Sequence, residues 1–379
     1  MNELIFPDDS PPPNELLERF AIGGALEKLT AYGNGHINKT YLSEWTEAGT
    51  RRRYIHQRIN EKVFARPHDL MRNIALVTGH IREKAAKDGR GDPARSTLTI
   101  VPAENGDPLI QDRHGGWWRT YFFIDGSRSL ELASTPDDAR LLGESIAQFQ
   151  NDMSDFSCAS LYETIPSFHD MEKRYAFYRK ILSMNQFGRT GEAKEEIDFM
   201  AENESRGAIL ARALRSGELP VRTCHNDAKI NNILIDSRSS ESLCVIDLDT
   251  VMGGTVLFDF GDLVRTACAS SAEDKPDLSK QDFRIDFFRS LLSGYLSRAG
   301  SFLVPSELAL LCEAGRNITH IMGLRFLTDF LDGDNYYHID RPGHNLDRCR
   351  TQIALIKSMD SKWKIIMEAC REECARMKQ

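Results

Sequence analysis

Cys224-His225-Asn226-Asp227-Ala228-Lys229-Ile230-Asn231-Asn232 is followed, twenty residues after Asp227, by Val245-Ile246-Asp247-Leu248-Asp249. The first stretch reads as a tight polar loop presenting an acid, a cation and an amide. The second reads as the end of an apolar strand, Leu243-Cys244-Val245-Ile246, that delivers a carboxylate. Moving a γ-phosphoryl group needs a metal to neutralise phosphate charge, an oriented cation, an in-line acceptor hydroxyl and a place for its proton. Asp227 is the candidate base, Lys229 the candidate cation and Asn232 an amide-oxygen donor suited to Mg²⁺. Asp247 is the second metal ligand, across the β- and γ-phosphates. Read one at a time, Asp227 and Asn232 are ordinary turn residues bonded to their own backbone, and Lys229 is a solvated lysine. The set, at fixed spacing and ending an apolar strand, favours the chemical reading. His225 is expected to hold the loop by hydrogen bonds.

Upstream, Leu29-Thr30-Ala31-Tyr32 and Thr40-Tyr41-Leu42-Ser43-Glu44-Trp45 alternate like strands on either side of Gly33-Asn34-Gly35-His36-Ile37-Asn38. Glycines in such a hairpin let backbone amides approach phosphate closely, making Gly33 and Gly35 nucleotide candidates. His36 and Asn38 are either turn residues or polar groups projecting into a cleft. Further strands are expected at 53–59, 98–101, 108–111 and 117–123, and helices at 15–20, capped by Asn14, and at 69–84. Texture changes at Ile124-Asp125-Gly126-Ser127, where a domain boundary is placed: 1–124 strand-rich, 125–379 mostly helical. Apolar spacings of three and four predict helices over 137–153, 171–182, 193–215, 283–298 and 306–331. A last helix, capped by Asn345, is expected to run to about 377.

The chain has 379 residues, beyond the usual size of a single core, with 41% hydrophobic and 27% charged residues and a formal charge of −8. That balance gives no electrostatic case for nucleic acid or an anionic membrane. No apolar run approaches the ~18 residues of a membrane span. The eight cysteines form no C-x-x-C pair, and the acidic, proline-rich start is unlike a signal peptide. A cytoplasmic protein with reduced thiols is expected.

With these residues in hand, His225–Asn232 and Ile246-Asp247-Leu248-Asp249 resemble the aminoglycoside phosphotransferase and choline kinase family. The resemblance implies an α+β, bilobal protein-kinase-like fold: a small antiparallel-sheet lobe with one main helix, and a larger helical lobe. Longer strings narrow it: 32–41, Gln57-Arg58-Ile59-Asn60, 70–74, 225–236, 246–250, 257–262 and Arg325-Phe326-Leu327. They are similar to family members that use ATP and Mg²⁺ to phosphorylate the anomeric hydroxyl of an N-acetylhexosamine. The resemblance implies Asp227 as base, Asn232 and Asp247 as metal ligands, and Tyr121, Phe122, Phe123 and Ile124 as the segment receiving adenine, mostly through backbone groups. It also implies His36, Asp249, Thr250, Arg325 and Tyr336 near the sugar. Arg325 has a plainer reading as a helix-surface ion-pair partner.

Two points depart from the wider pattern. Asp259-Phe260-Gly261 spells the metal-binding triplet of protein kinases but lies too far from Asp227, so Asp259 is expected to brace the catalytic loop's amides instead. The lysine usual on the third strand is missing; Arg58 stands there as its replacement, with a different reach. Rival readings are another small hydroxyl acceptor (choline, an aminoglycoside, methylthioribose or homoserine) and a non-catalytic nucleotide-binding regulator.

Overall fold

The alternation around Gly33 becomes a sheet. A computed structural model describes residues 11–33 and 37–377. After α1 (Asn14–Leu17) come β1 (Ala25–Ala31), β2 (Lys39–Glu47), β3 (Thr50–Arg58), α2 (Pro67–Lys87), β4 (Ile100–Val101), β5 (Ile110–Gln111) and β6 (Trp117–Phe122). The strands pair antiparallel in the order β1-β2-β3-β6-β4, with β5 also on β6. Period-two alternation sends Tyr54, His56 and Arg58 of β3 into buried positions. Tyr54 belongs to a core with Leu16, Leu17, Phe20, Tyr41, Trp45 and Trp118. His56, fully buried, is satisfied on both ring nitrogens by Ser43 Oγ at 2.7 Å and Thr120 Oγ1 at 2.8 Å. Asn14 is the first residue of α1 rather than its cap; Pro13 takes the cap position without a side-chain bond.

The chain divides into two compact units. The first runs to Ser127 and includes Tyr162–Ile165; the second comprises Arg128–Leu161 and everything from Pro166. The short return of the chain to the first unit has a clear cause. The Asn73 amide of α2 donates to Tyr162 O at 2.7 Å and accepts from Tyr162 N at 2.9 Å, and the Arg66 guanidinium covers the Tyr162 ring at 4.5 Å.

After the two-residue strand β7 (Ser127–Arg128), the second unit carries α3 (Pro136–Asp152), α4 (Met171–Met184), α5 (Lys194–Gly207) and α6 (Ile209–Ser216). Then follow β8 (Arg222–Cys224), β9 (Ile233–Asp236), β10 (Ser242–Val245) and β11 (Met252–Gly254). The chain ends with α7 (Val256–Ala267), α8 (Ile285–Ala299), α9 (Pro305–Leu310), α10 (Ala314–Leu331), α11 (His344–Ser361) and α12 (Trp363–Arg376). α10 is buried almost all round and forms the centre of this unit.

Three helices expected as continuous are broken. The 193–215 pattern splits at Ala208 because the Asn317 amide of α10 donates to Gly207 O at 2.7 Å, competing for a carbonyl at the end of the helical ladder. The 306–331 pattern tightens into a 3₁₀ turn at Leu311–Glu313. The last helix breaks at Lys362 and begins one residue before Asn345, after a left-handed Gly343. Apolar spacing carried through all three breaks, so periodicity alone did not mark them. None of the described helices is long and apolar enough to cross a membrane.

Candidate active site

The quoted loop is held at nearly every peptide group. β8 pairs with β11, Met252 opposite Cys224, and ends there, just before His225. Asp259, at the start of α7 and fully buried, accepts from His225 N at 3.0 Å and Asn226 N at 2.7 Å. The bracing expected of Asp259 is what the fold contains. His225 Nε2 lies 2.9 Å from Ile246 O and its Nδ1 3.3 Å from Asp227 N. Its proton therefore sits on Nε2, and the ring ties the loop to the strand before Asp247. Asn226 adopts φ 64, a left-handed turn, and its amide nitrogen donates to Cys224 O, Thr250 O and Met252 O. A Cβ on Gly254 would meet the Asn226 amide oxygen at 2.5 Å, so this close approach needs glycine. On the other side of the peptide, His169 Nε2 donates to Asn226 O at 2.9 Å. Burial, with Arg325 and Arg174 adding positive charge, lowers the His169 pKa to about 3, so the ring stays neutral.

Asp227 is thereby fixed at its backbone while its carboxylate remains partly exposed, 3.2 Å from Lys229 Nζ. Burial works to raise the Asp227 pKa, but Lys229 outweighs it and holds the carboxyl below its ordinary value. For Lys229, burial acts downward and is overcome by Asp227, Asp247, Asp262 and Glu273, so the ammonium form is favoured. Asp262 and Glu273 are themselves clamped by Arg265, at 2.8 and 2.5 Å. Asn232 Nδ2 donates to Asp227 O at 2.9 Å, which leaves its amide oxygen as the acceptor available to a ligand. Asp247 also has a left-handed backbone, φ 62, and its side chain reaches solvent. Surrounding protein raises its carboxyl to about 6, with Asp249 and Asp227 adding like charge.

A divalent cation suits this donor set. The Asn232 and Asp247 oxygens are hard ligands, and a cation relieves the like-charge crowding around Asp247. Two protein ligands completed by phosphates and water are ordinary for Mg²⁺.

The Thr250 hydroxyl donates to His225 O at 2.7 Å inside the loop. Asp249 is 2% exposed. Arg325 on α10 is no helix-surface ion-pair partner. It is buried, its guanidinium lies over the rings of Phe168 at 4.7 Å, Tyr337 at 5.4 Å and Tyr336 at 5.7 Å, and it forms no salt bridge among the described residues. Burial acts to lower its pKa, but Tyr337, Tyr336 and Asp227 raise it. Tyr336 stays exposed beside it.

In the first unit, Gly35 and His36 lie outside the described residues. Gly33 has φ +74 with open space where a Cβ would stand. Arg58, expected in place of the missing lysine, has a partner inside the first unit. It lies on the same strand face as Tyr54 and His56, its side chain is 9% exposed, and its Nε is 3.5 Å from Asp112. Asp112 in turn accepts from the Trp118 indole at 2.8 Å. Gln57, on the other face, accepts from the buried Arg119 at 3.0 Å. Arg58→Ala is therefore expected to cost stability, about 3 kcal/mol as for breaking a buried ion pair, and to leave KM for ATP nearly unchanged. Thermal unfolding and nucleotide kinetics check this; a large rise in KM with an unchanged Tm would restore Arg58 to the nucleotide site. In the expected adenine segment, Phe122 N and Phe123 N already bond to Thr99 O and Arg53 O, and Ile124 O accepts from Ser127 Oγ at 2.6 Å. Tyr121 is buried.

Residues 28–299 match the phosphotransferase enzyme family, APH. The chain belongs to this family. It is similar in structure to an aminoglycoside phosphotransferase from Alicyclobacillus acidocaldarius, at 14% identity over 98% of this chain and 97% of that one, TM-score 0.56. It is also similar to spectinomycin phosphotransferase APH(9)-Ia, at 13% identity over 91% and 92%, TM-score 0.54. Choline kinase from Cryptosporidium parvum matches at 14% identity over 90% and 92%, TM-score 0.53. Identities this low speak to the fold, and the fold is the α+β protein-kinase-like one. Sequence reading missed Asn226, His169 and the Asp262–Arg265–Glu273 clamp. An Asn beside the acid, where a left-handed turn is easiest for a non-glycine residue, was the one available signal.

Proposed function

We propose that this phosphotransferase is an N-acetylhexosamine 1-kinase, transferring the γ-phosphoryl group of ATP to the anomeric hydroxyl of N-acetylglucosamine or N-acetylgalactosamine. The observation that carries the acceptor class is Arg325. A buried guanidinium lined by aromatic faces repels a cationic acceptor such as choline and suits hydroxyl and amide oxygens. Asp227 receives the hydrogen bond of the acceptor hydroxyl and orients it. Its lowered pKa is adequate because an anomeric hydroxyl is more acidic than an ordinary alcohol. Lys229 neutralises charge on the phosphoryl oxygens. Asn232 and Asp247 would hold Mg²⁺, which when bound neutralises the β- and γ-phosphates. The acceptor oxygen forms its bond to phosphorus as the bond to the β-phosphate oxygen breaks. The proton passes to Asp227 and ADP leaves, with no phosphoenzyme.

The test is incubation with Mg-ATP and a panel of sugars and amino alcohols, reading the phosphorylated position by NMR. An anomeric phosphate on an N-acetylhexosamine is expected. Phosphorylation at C6, or of choline alone, defeats the proposal.

A further inference from the structure

Asp329 repeats, on the loop that follows α10, the device Asp259 uses on the catalytic loop. It sits near the end of α10, 5% exposed, four residues after Arg325. Its Oδ1 accepts from Tyr336 N at 2.8 Å, its Oδ2 from Tyr337 N at 2.9 Å and from Asn345 Nδ2 at 2.9 Å. The same Asn345 amide reaches Asp334 Oδ1 at 2.8 Å, while Asn345 Oδ1 accepts from Arg348 at 3.2 Å. Asp334, in a left-handed turn with φ 60, has its N–H on Asp329 O at 2.8 Å and its other carboxylate oxygen on Arg189 at 2.5 Å. Arg189 also bonds Phe330 O at 2.7 Å. The loop from Gly333 to Tyr337 thus hangs from two carboxylates, one amide and one guanidinium. It carries the two tyrosine rings that flank Arg325, and Tyr337 is further seated on Phe326 at 4.8 Å.

We propose that Asp329 is a positioning residue for the acceptor site: it fixes the Tyr336–Tyr337 backbone against Arg325, and so sets acceptor affinity without touching the nucleotide or the reacting atoms. This rests on the reading of Arg325 and Tyr336 as acceptor contacts. A carboxylate is required because both its oxygens must accept. Asparagine at this position turns one acceptor into a donor facing an N–H, leaving a buried amide without a partner. Asp262 and Glu273 answer to Arg265 and Lys229, whereas Asp329 has only neutral donors on its own oxygens. Its work is therefore geometric rather than to supply charge at Asp227.

The test compares wild type, Asp329→Asn and Asp329→Glu in the full-length protein by two measurements. Amide hydrogen exchange at Tyr336 and Tyr337, read without any acceptor, is expected to accelerate about tenfold or more in Asp329→Asn. Acceptor KM is expected to rise about tenfold or more with little change in kcat or in KM for ATP, and Asp329→Glu is expected to recover part of the loss. Unchanged exchange at these amides overturns the proposal whatever the acceptor is. Faster exchange with an unchanged acceptor KM overturns it too, as does a parallel decline of kcat, both KM values and Tm, which would mark a merely structural residue. A wild type that phosphorylates no sugar but another acceptor defeats the N-acetylhexosamine reading alone, because the same KM comparison is then made with that acceptor.

Discussion

Asp227→Asn lowers turnover by at least about a hundredfold while leaving Tm within a degree or two, the loss typical of removing a positioned acid–base group. Asparagine keeps the shape of the side chain and can still contact the acceptor hydroxyl, but it cannot take the proton. It also loses the pairing with Lys229 at 3.2 Å, freeing that ammonium to turn toward other carboxylates. The backbone should stay in place, because the peptide groups around Asp227 are held by Asp259, His169 and Asn232 and not by its own carboxylate. Steady-state kinetics with saturating Mg-ATP and a melting curve decide the matter. Near-wild-type turnover would remove Asp227 from its assigned role.

Asp259→Ala is expected to be the more damaging change to the protein as a whole. Two buried N–H groups, those of His225 and Asn226, lose their acceptor, and Gln150 loses one of its bonds. A cost of about 3 kcal/mol or more follows from leaving two buried donors unsatisfied. Asp259→Asn should cost less in stability. Burial raises the Asp259 pKa despite its hydrogen bonds, so the native protein pays for a buried charge that asparagine does not carry. Both variants are expected to lose turnover, because the left-handed turn at Asn226 is strained and persists only while its surroundings hold it. Denaturant unfolding combined with kinetics separates the two effects. An Asp259→Asn protein with full activity would show that the loop holds its shape without the brace.

Much of the architecture was legible along the chain. The N-terminal strands, α2 and α3 fall within a few residues of their expected ends, because period-two and period-3.6 patterns survive wherever one face is buried. The helix breaks at Ala208 and Lys362 were not legible. The first arises where Asn317, more than a hundred residues away, bonds the Gly207 carbonyl, and no local pattern records that. The partner of Arg58 was not legible for a related reason. Arg58 suited a phosphate by residue type, but the alternation set by Tyr54 and His56 turns it to the core, where Asp112 meets it. The bond from the Thr250 hydroxyl to His225 O likewise leaves no mark in the local sequence.

The quoted stretches by themselves determined which candidate groups stand together. Acid, cation and amide sit within six residues, and a loop that short presents them together whatever surrounds it. Asp247 follows at the end of an apolar strand, tied back through His225. Tertiary structure alone decided which groups are free to act. Asp259, His169 and Asn226 turn a polar sequence into a fixed geometry, Asp329 holds a pair of tyrosines beside Arg325, and Thr250 and Arg58 have partners inside the fold. A side chain's availability depends on which partners the packed chain brings within hydrogen-bond reach, and those partners are set by contacts far apart in sequence.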